Sequence, residues 1–219
     1  MKYRSVFDII GPVMIGPSSS HTAGAARIGR AARQLFGRKP ERVMVTLYGS
    51  FAKTYRGHGT DIALIGGVLD FDTFDKRIVR SLEIAREQGI EVEFRESEEV
   101  PEHPNTVRLR LEDERGATEV VGVSIGGGKM EIVELNGFEL KMTGNSPTLL
   151  VPHQDRYGAI AAVAGVLARH RINIGYMQVS RKEKGSEALM IIETDQAVGQ
   201  KVLDEIAAQP GITGATLFA

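Results

Sequence analysis

In the last part of the chain, strand-like and helix-like patterns of apolar residues follow one another. From residue 148 onward, segments with alternating apolar residues, typical of strands, and segments with apolar residues three and four apart, typical of helices, follow one another. The predicted strands are Thr148–Pro152, Ile172–Ser180, Glu187–Glu193 and Ile212–Phe218, and the predicted helices are Gly158–Arg169 and Gly199–Gln209. This βαββαβ order is that of the ferredoxin-like fold, and its length suits an independent module.

The part of the chain before this module mixes helices and strands in a different order. Helical patterns are predicted from Ser20 to Leu35, from Asp61 to Leu69 and from Phe74 to Gln88, and strands at Arg42–Tyr48, Val107–Leu111, Thr118–Ile125 and Met130–Leu135. Five small or turn-forming residues, Thr143–Pro147, predict a linker. We therefore expect an α/β (α+β) protein with a mixed α/β domain at 1–142 and the ferredoxin-like module at 148–219.

Composition and charge argue against a nucleic-acid or membrane protein. The formal net charge is −1 without a basic stripe, and the longest apolar runs, such as Ile62–Leu69, are too short to span a bilayer. Residues 1–5 do not begin a secretion signal. The chain has no cysteine, which excludes disulfides and any cysteine-ligated metal supplied by this chain. We expect a cytoplasmic protein that binds no metal by itself.

A string of hydroxyl side chains precedes the first predicted helix. Ser18, Ser19, Ser20, His21 and Thr22 lie between glycines and lead into an alanine-rich segment. Hydroxyls and free backbone N–H groups at a helix N-terminus bind carboxylate or phosphate. The structural alternative is an ordinary N-cap, which needs one serine and no histidine. The full string therefore predicts a binding site for a small anion.

A second polar segment follows the first predicted strand. Gly49 and Ser50 end that strand, and a glycine-rich turn at 57–61 contains His58, Gly59, Thr60 and Asp61. Glycines on both sides of His58 allow a substrate to approach the imidazole closely, and Asp61 either caps the next helix or orients an imidazole. The alternative is an exposed loop histidine. Two histidine-bearing, hydroxyl-rich segments in one domain favour an active site.

These motifs in this order resemble the β chain of the iron–sulfur-dependent bacterial L-serine dehydratases. The resemblance rests on Gly-Pro-Ser-Ser-Ser-His-Thr, Leu-Tyr-Gly-Ser and Gly-His-Gly-Thr-Asp, and it extends over essentially the whole chain. It implies deamination of L-serine to pyruvate and ammonia, with a [4Fe–4S] cluster ligated by a cysteine-bearing α subunit. It also implies His58 as the general base supported by Asp61, and substrate binding by Ser18, Ser19, Ser20, His21, Thr22, Gly49, Ser50, Gly59 and Thr60.

The same resemblance divides the chain into two familiar parts. The N-terminal part is similar to the allosteric substrate-binding domain of some phosphoglycerate dehydrogenases, and the C-terminal module is similar to an ACT domain. In the module, Asp155, Gly158, Asn173 and Ile174 match the regulatory amino-acid site, but Tyr157 stands where such modules commonly have proline. The module therefore binds serine or serves only for contacts in a homodimer.

Two other classes of function remain open from the residues alone. One is a non-catalytic protein whose two domains sense an amino acid or hydroxy acid. The other is an assembly scaffold in which the serine string only caps a helix.

Overall fold

The computed structural model describes residues 12–218, so the expectation for residues 1–5 lies outside the described part. The chain forms two compact units that divide between Asn136 and Gly137. This division precedes the predicted linker at 143–147, and the strand between the two positions belongs to the second unit. Within the described residues, no helix is long and apolar enough to cross a membrane.

Within residues 12–136, the first unit combines four α-helices with a β-sheet. A π-helical turn at Ser19–Ala23 precedes α1, and a 3₁₀ turn at Lys76–Arg80 precedes α4. The helices are α1 Gly24–Phe36, α2 Gly49–His58, α3 Thr60–Val68 and α4 Ser81–Glu87. The strands are β1 Arg42–Leu47, β2 Glu91–Glu96, β3 Thr106–Asp113, β4 Gly116–Gly126 and β5 Lys129–Leu135. They lie in the order β2-β1-β3-β4-β5, in which β1 and β2 are parallel and the other neighbours antiparallel.

The core of this unit lies between one face of the sheet and the helices α1 and α3. Val43, Val45 and Leu47 alternate toward the core, as expected for a strand with one buried face. The two helices approach so closely that glycine is required at Gly29 and Gly67. A β-carbon at either position would lie 2.1 or 2.0 Å from a carbonyl oxygen of the other helix. This crossing fixes the start of α1, which carries the serine string, against α3.

Helix α2 is a departure from the sequence prediction. The glycine-rich segment at 57–61 was expected to be one turn, but residues 57 and 58 end α2, and Thr60 already begins α3. Gly59 alone links the two helices, and its left-handed φ of 66° is the conformation that glycine tolerates best. His58 is therefore the last residue of a helix and not part of an open loop.

The second unit has the predicted ferredoxin-like topology. Its elements are β6 Phe138–Met142, β7 Thr148–Gln154, α5 Ala159–Arg169, β8 Ile174–Arg181, β9 Glu187–Thr194, α6 Gln200–Ala207 and β10 Thr216–Phe218. The four-stranded sheet has the order β10-β7-β9-β8, which is the strand order of a split βαβ fold. A core that includes Leu149, Val163 and Ile192 lies between this sheet and its two helices. The predicted α/β (α+β) fold class is confirmed.

Candidate active site

The serine string forms the irregular start of helix α1. Ser18 is the N-cap, and its Oγ accepts a hydrogen bond from the backbone N–H of His21 at 3.1 Å. The next five residues form a π-helical turn, in which the Gly24 N–H donates to the Ser19 carbonyl. Such turns insert an extra residue into a helix and are frequent at functional sites. Here the turn brings Ser18, Ser20 and His21 together at the positive end of the helix dipole.

The imidazole of His21 lies between two serine hydroxyls. Its Nδ1 is 3.0 Å from Ser20 Oγ, and its Nε2 is 3.0 Å from Ser50 Oγ, on the first turn of α2. Its ring meets the buried Phe51 ring edge-on, with 5.3 Å between the ring centroids. These contacts join the two polar segments predicted from sequence into a single site.

His58 completes the site from the opposite end of α2. Its ring centroid lies 4.9 Å from that of His21, with the two rings nearly perpendicular. Burial, together with the nearby His58, lowers the pKa of His21 below its ordinary value of 6.5. His21 is thus neutral at pH 7, with one ring nitrogen able to donate a hydrogen bond and the other to accept one. The side chain of His58 is exposed to solvent, where a ligand can reach it.

The other polar groups in and around the 57–61 segment have contacts apart from the two imidazoles. The Thr22 hydroxyl donates to the His58 carbonyl at 3.1 Å, and the Thr60 side chain is completely buried. Asp61 accepts a hydrogen bond from the Ile62 N–H at 2.9 Å, and burial raises the pKa of its carboxyl group. Within residues 12–218, no hydrogen bond joins Asp61 to either imidazole. The predicted support of His58 by Asp61 is therefore not a contact in this structure.

A loop that sequence reasoning left out also reaches the site. The Pro104 carbonyl accepts the Ser50 N–H at 2.7 Å, and a β-carbon on Gly49 would lie 2.6 Å from the same oxygen. Gly49 has a left-handed φ of 53°, so both its conformation and the space beside it favour glycine. His103, in the same loop, is half-buried, and its Nδ1 accepts the Asn105 N–H. The short Pro-Glu-His-Pro segment has no periodic pattern that would predict this contact.

The four regulatory positions predicted in the second unit do not converge within one copy of the chain. Asp155 pairs with Arg181 and accepts the Gly185 N–H, so it lies beside the end of β8. Asn173 precedes the start of β8, and its side chain donates to Asp195. The strand between them spans about 25 Å. Gly158 is the N-cap of α5 with a φ of 86°, and Ile174 is half-buried at the start of β8.

The arrangement in the first unit combines anion binding with proton transfer. The N–H groups of His21, Thr22, Ala23 and Gly24 donate to Ser18 and Ser19. Those of Ser19 and Ser20 have no partner among residues 12–218 and lie at the positive end of the helix dipole. A carboxylate bound there would lie near the two imidazoles, and an imidazole is suited to moving a proton near neutral pH. Among residues 12–218, no group of three or more metal-ligating side chains is present.

Comparison with known proteins places the chain in a family. A family model described as "Serine dehydratase beta chain" matches residues 5–134, and one described as "ACT domain" matches residues 148–211. The chain belongs to the serine dehydratase beta-chain family. The resemblance to this family and to the ACT domain, inferred from the motifs, is confirmed. The first of these matches contains every residue of the site described above.

Full-length relatives carry the same family name. The chain is 62% identical to a "Probable L-serine dehydratase, beta chain" of Bacillus subtilis over 219 residues, which is 100% of both chains. It is 36% identical to an "L-serine dehydratase, beta chain" of Peptoniphilus asaccharolyticus over 92% of each chain. It is also 29% identical to a B. subtilis "D-3-phosphoglycerate dehydrogenase", over 89% of this chain and 37% of that protein. The likeness to phosphoglycerate dehydrogenases expected from sequence is thus present.

Proposed function

We propose that this chain is the β subunit of an enzyme that converts L-serine to pyruvate and ammonia. The proposal rests on the contacts that the serine string makes with both ends of helix α2. There His21 is bracketed by two serine hydroxyls, and its ring lies 4.9 Å from that of His58. The names of the full-length relatives support this assignment.

In this proposal the serine string binds the substrate carboxylate. Ser19 and Ser20 lie in the first turn before α1, where backbone N–H groups and the helix dipole favour a negative charge. Gly49 and Ser50 form the adjacent wall. Neutralising the carboxylate there lowers the cost of forming negative charge on the neighbouring Cα.

His58 is the proposed general base for the Cα proton. Its ring is exposed and lies next to His21, which is kept neutral by its burial. Burial makes His21 a weaker proton acceptor than an ordinary imidazole, and its ring holds Ser20 and Ser50 in fixed positions. Loss of the Cα proton and of the β-hydroxyl as water gives aminoacrylate, whose imine form is hydrolysed to pyruvate and ammonia. One water is released and one is consumed.

The residues of this chain do not fit an iron–sulfur cluster. The chain has no cysteine, and cysteine thiolates are the usual cluster ligands. We therefore place the [4Fe–4S] cluster on a cysteine-bearing α subunit, where it would act as a Lewis acid toward the serine hydroxyl. The chain would contribute substrate binding and the base. A reducing cytoplasm suits such a complex.

The test uses the anaerobically prepared complex of this chain with its α subunit. We expect serine-dependent pyruvate formation by the complex and none by this chain alone. His58→Ala should lower kcat by about 10²-fold or more, because positioned general bases contribute 10²- to 10⁴-fold.

The matched control is His170→Ala in the second unit, where His170 pairs with Glu205. It should keep activity within a factor of two. Unchanged turnover of the His58→Ala complex would show that another group is the base.

We further propose that the second unit mediates homodimerisation. Strand β8 lies at the edge of the four-stranded sheet, and it presents Tyr176 and Val179, which are 43% and 39% exposed. An edge strand with exposed apolar residues is a template for pairing with another chain. Light scattering should give twice the mass of the chain, and Val179→Lys should lower it; a monomeric mass for the unaltered chain would refute this assignment.

A regulatory role is a second candidate, because the chain also matches phosphoglycerate dehydrogenases over much of its length. In that case this chain alone would bind L-serine in calorimetry, and no iron-bearing partner would co-purify with it. Asp155→Ala and Asn173→Ala would then weaken serine binding. The same calorimetry separates a regulatory serine site in the second unit from a purely structural one.

A further inference from the structure

Thr22 was predicted to bind substrate, but its side chain points elsewhere. The residue is 2% exposed, and its hydroxyl donates to the carbonyl of His58 at 3.1 Å. Gly16 packs against its methyl group so closely that a β-carbon there would lie 2.4 Å from Thr22 Cγ2. A buried hydroxyl with a good acceptor has little reason to exchange it for a ligand. We propose that Thr22 is a positioning residue that holds His58 in place.

The hydrogen bond from Thr22 is made to the last residue of helix α2. The last four carbonyls of a helix have no partner within it, and His58 is the last residue of α2. Gly59, the one-residue link, donates its N–H to Tyr55 and accepts the N–H of Ala63. The Thr22 hydroxyl supplies a partner for the His58 carbonyl, which lies between these two bonds. The backbone of His58 is therefore bound to the helix that carries the serine string.

This link sets the distance between the two halves of the site. Residues 21 and 22 are neighbours in the π-helical turn, so one side chain meets the His58 ring and the next binds the His58 backbone. The backbone that carries the His58 imidazole is thereby held at a fixed distance from the turn proposed to bind the carboxylate. Misplacing a catalytic group by about 1 Å reduces turnover by up to 10²-fold without requiring weaker binding. The inference rests on the proposed role of His58 as the base.

The experiment compares two substitutions in the complex with the α subunit. Thr22→Val keeps the shape of the side chain and removes the hydroxyl, whereas Thr22→Ser keeps the hydroxyl. We expect Thr22→Val to lower kcat on the order of tenfold or more, with KM for L-serine within a factor of two. Thr22→Ser should restore most of the turnover. A substrate-binding Thr22 would instead raise KM, and that result would overturn the inference.

A second measurement does not depend on catalysis. In this chain alone, labelled with ¹³C at histidine, Thr22→Val should shift the His58 ring resonances, and Thr22→Ser should leave them near their original positions. His58→Asn assigns those resonances. If they shift while His58→Ala still supports turnover, the link stands and the assignment of the base fails. If neither kcat nor the resonances change in Thr22→Val, the link itself is refuted.

Folding is checked by circular dichroism before each comparison. Thr22→Ala replaces Thr22→Val if the valine variant does not fold. If both fail to fold while Thr22→Ser folds, the hydroxyl is needed for the fold as a whole, and the positioning role is refuted.

Discussion

The crossing of α1 and α3 gives a sharp prediction about stability. A methyl group on Gly67 would lie 2.0 Å from the Ala26 carbonyl oxygen and 2.6 Å from the backbone nitrogen of Arg30. Ordinary contacts begin near 3.4 Å, so Gly67→Ala requires the helices to separate by about 1.4 Å. Both obstacles are backbone atoms, which cannot rotate away as a side chain can.

The expected cost follows from overpacking. Added methyl groups in a packed core cost about 1–3 kcal/mol, and backbone obstacles place Gly67→Ala near the upper end. For a chain of this size, 3 kcal/mol corresponds to a fall in melting temperature of roughly 6–12 °C. Gly29 meets the carbonyl of Leu64 across the same crossing. The double variant should lose less than the sum of the single losses, because one separation of the helices relieves both contacts.

The assay is urea unfolding of the full chain, followed by circular dichroism. Gly57→Ala is the matched control, since it lies in α2 and its β-carbon would meet nothing within 4 Å. It should be neutral or stabilising by about 0.5–1 kcal/mol, as for alanine in place of glycine within a helix. Equal midpoints for Gly67→Ala and the unaltered chain would refute the close backbone approach. So would a comparable loss for Gly57→Ala.

Two further predictions concern pH. The pKa of His21 is lowered in the fold, mainly by burial, so the unfolded chain takes up its proton first as pH falls. The contribution of His21 to the unfolding free energy should therefore be nearly constant above pH 7 and decrease below about 6.5, and His21→Gln should remove this part of the decrease. A hydrogen bond from Arg38 holds the pKa of Asp113 at about 2. That stabilisation is present above pH 3.8 and should be lost as pH falls toward 2, and acid titration of Asp113→Asn should lack this loss.

The ferredoxin-like part of the second unit was predictable because most of its helices and strands span a full apolar period. All six predicted elements are present, and their order alone selects the sheet topology. Helix α2 was missed because only Phe51 and Tyr55 mark its buried side, and Gly57 near its end reads as a turn. Strand β6 was missed despite the alternation of Phe138, Leu140 and Met142, because five residues are too few to separate from a loop.

The chemistry of the first unit was visible in the sequence, but its geometry was not. Hydroxyl and imidazole groups identified the two segments, yet 36 positions separate Thr22 from His58. Every residue has a backbone carbonyl, so the type of the accepting residue does not reveal such a hydrogen bond. The contact of Pro104 with the start of α2 is hidden for the same reason. The sequence therefore predicted candidate site residues, and the fold decides which of them touch.

The π-helical turn before α1 makes the site sensitive to chain length. A π turn contains one residue more than the regular helix that continues from it. Deleting a single residue between Ser19 and Ala23 would allow a regular helix, which is more stable locally. A regular helix with one residue fewer completes the same turn, so Ser18 would keep its direction while the side chains between it and Ala23 would change theirs. Most substitutions would leave this geometry in place, whereas one deletion would keep the helix and remove the irregular turn that places His21 between Ser20 and Ser50.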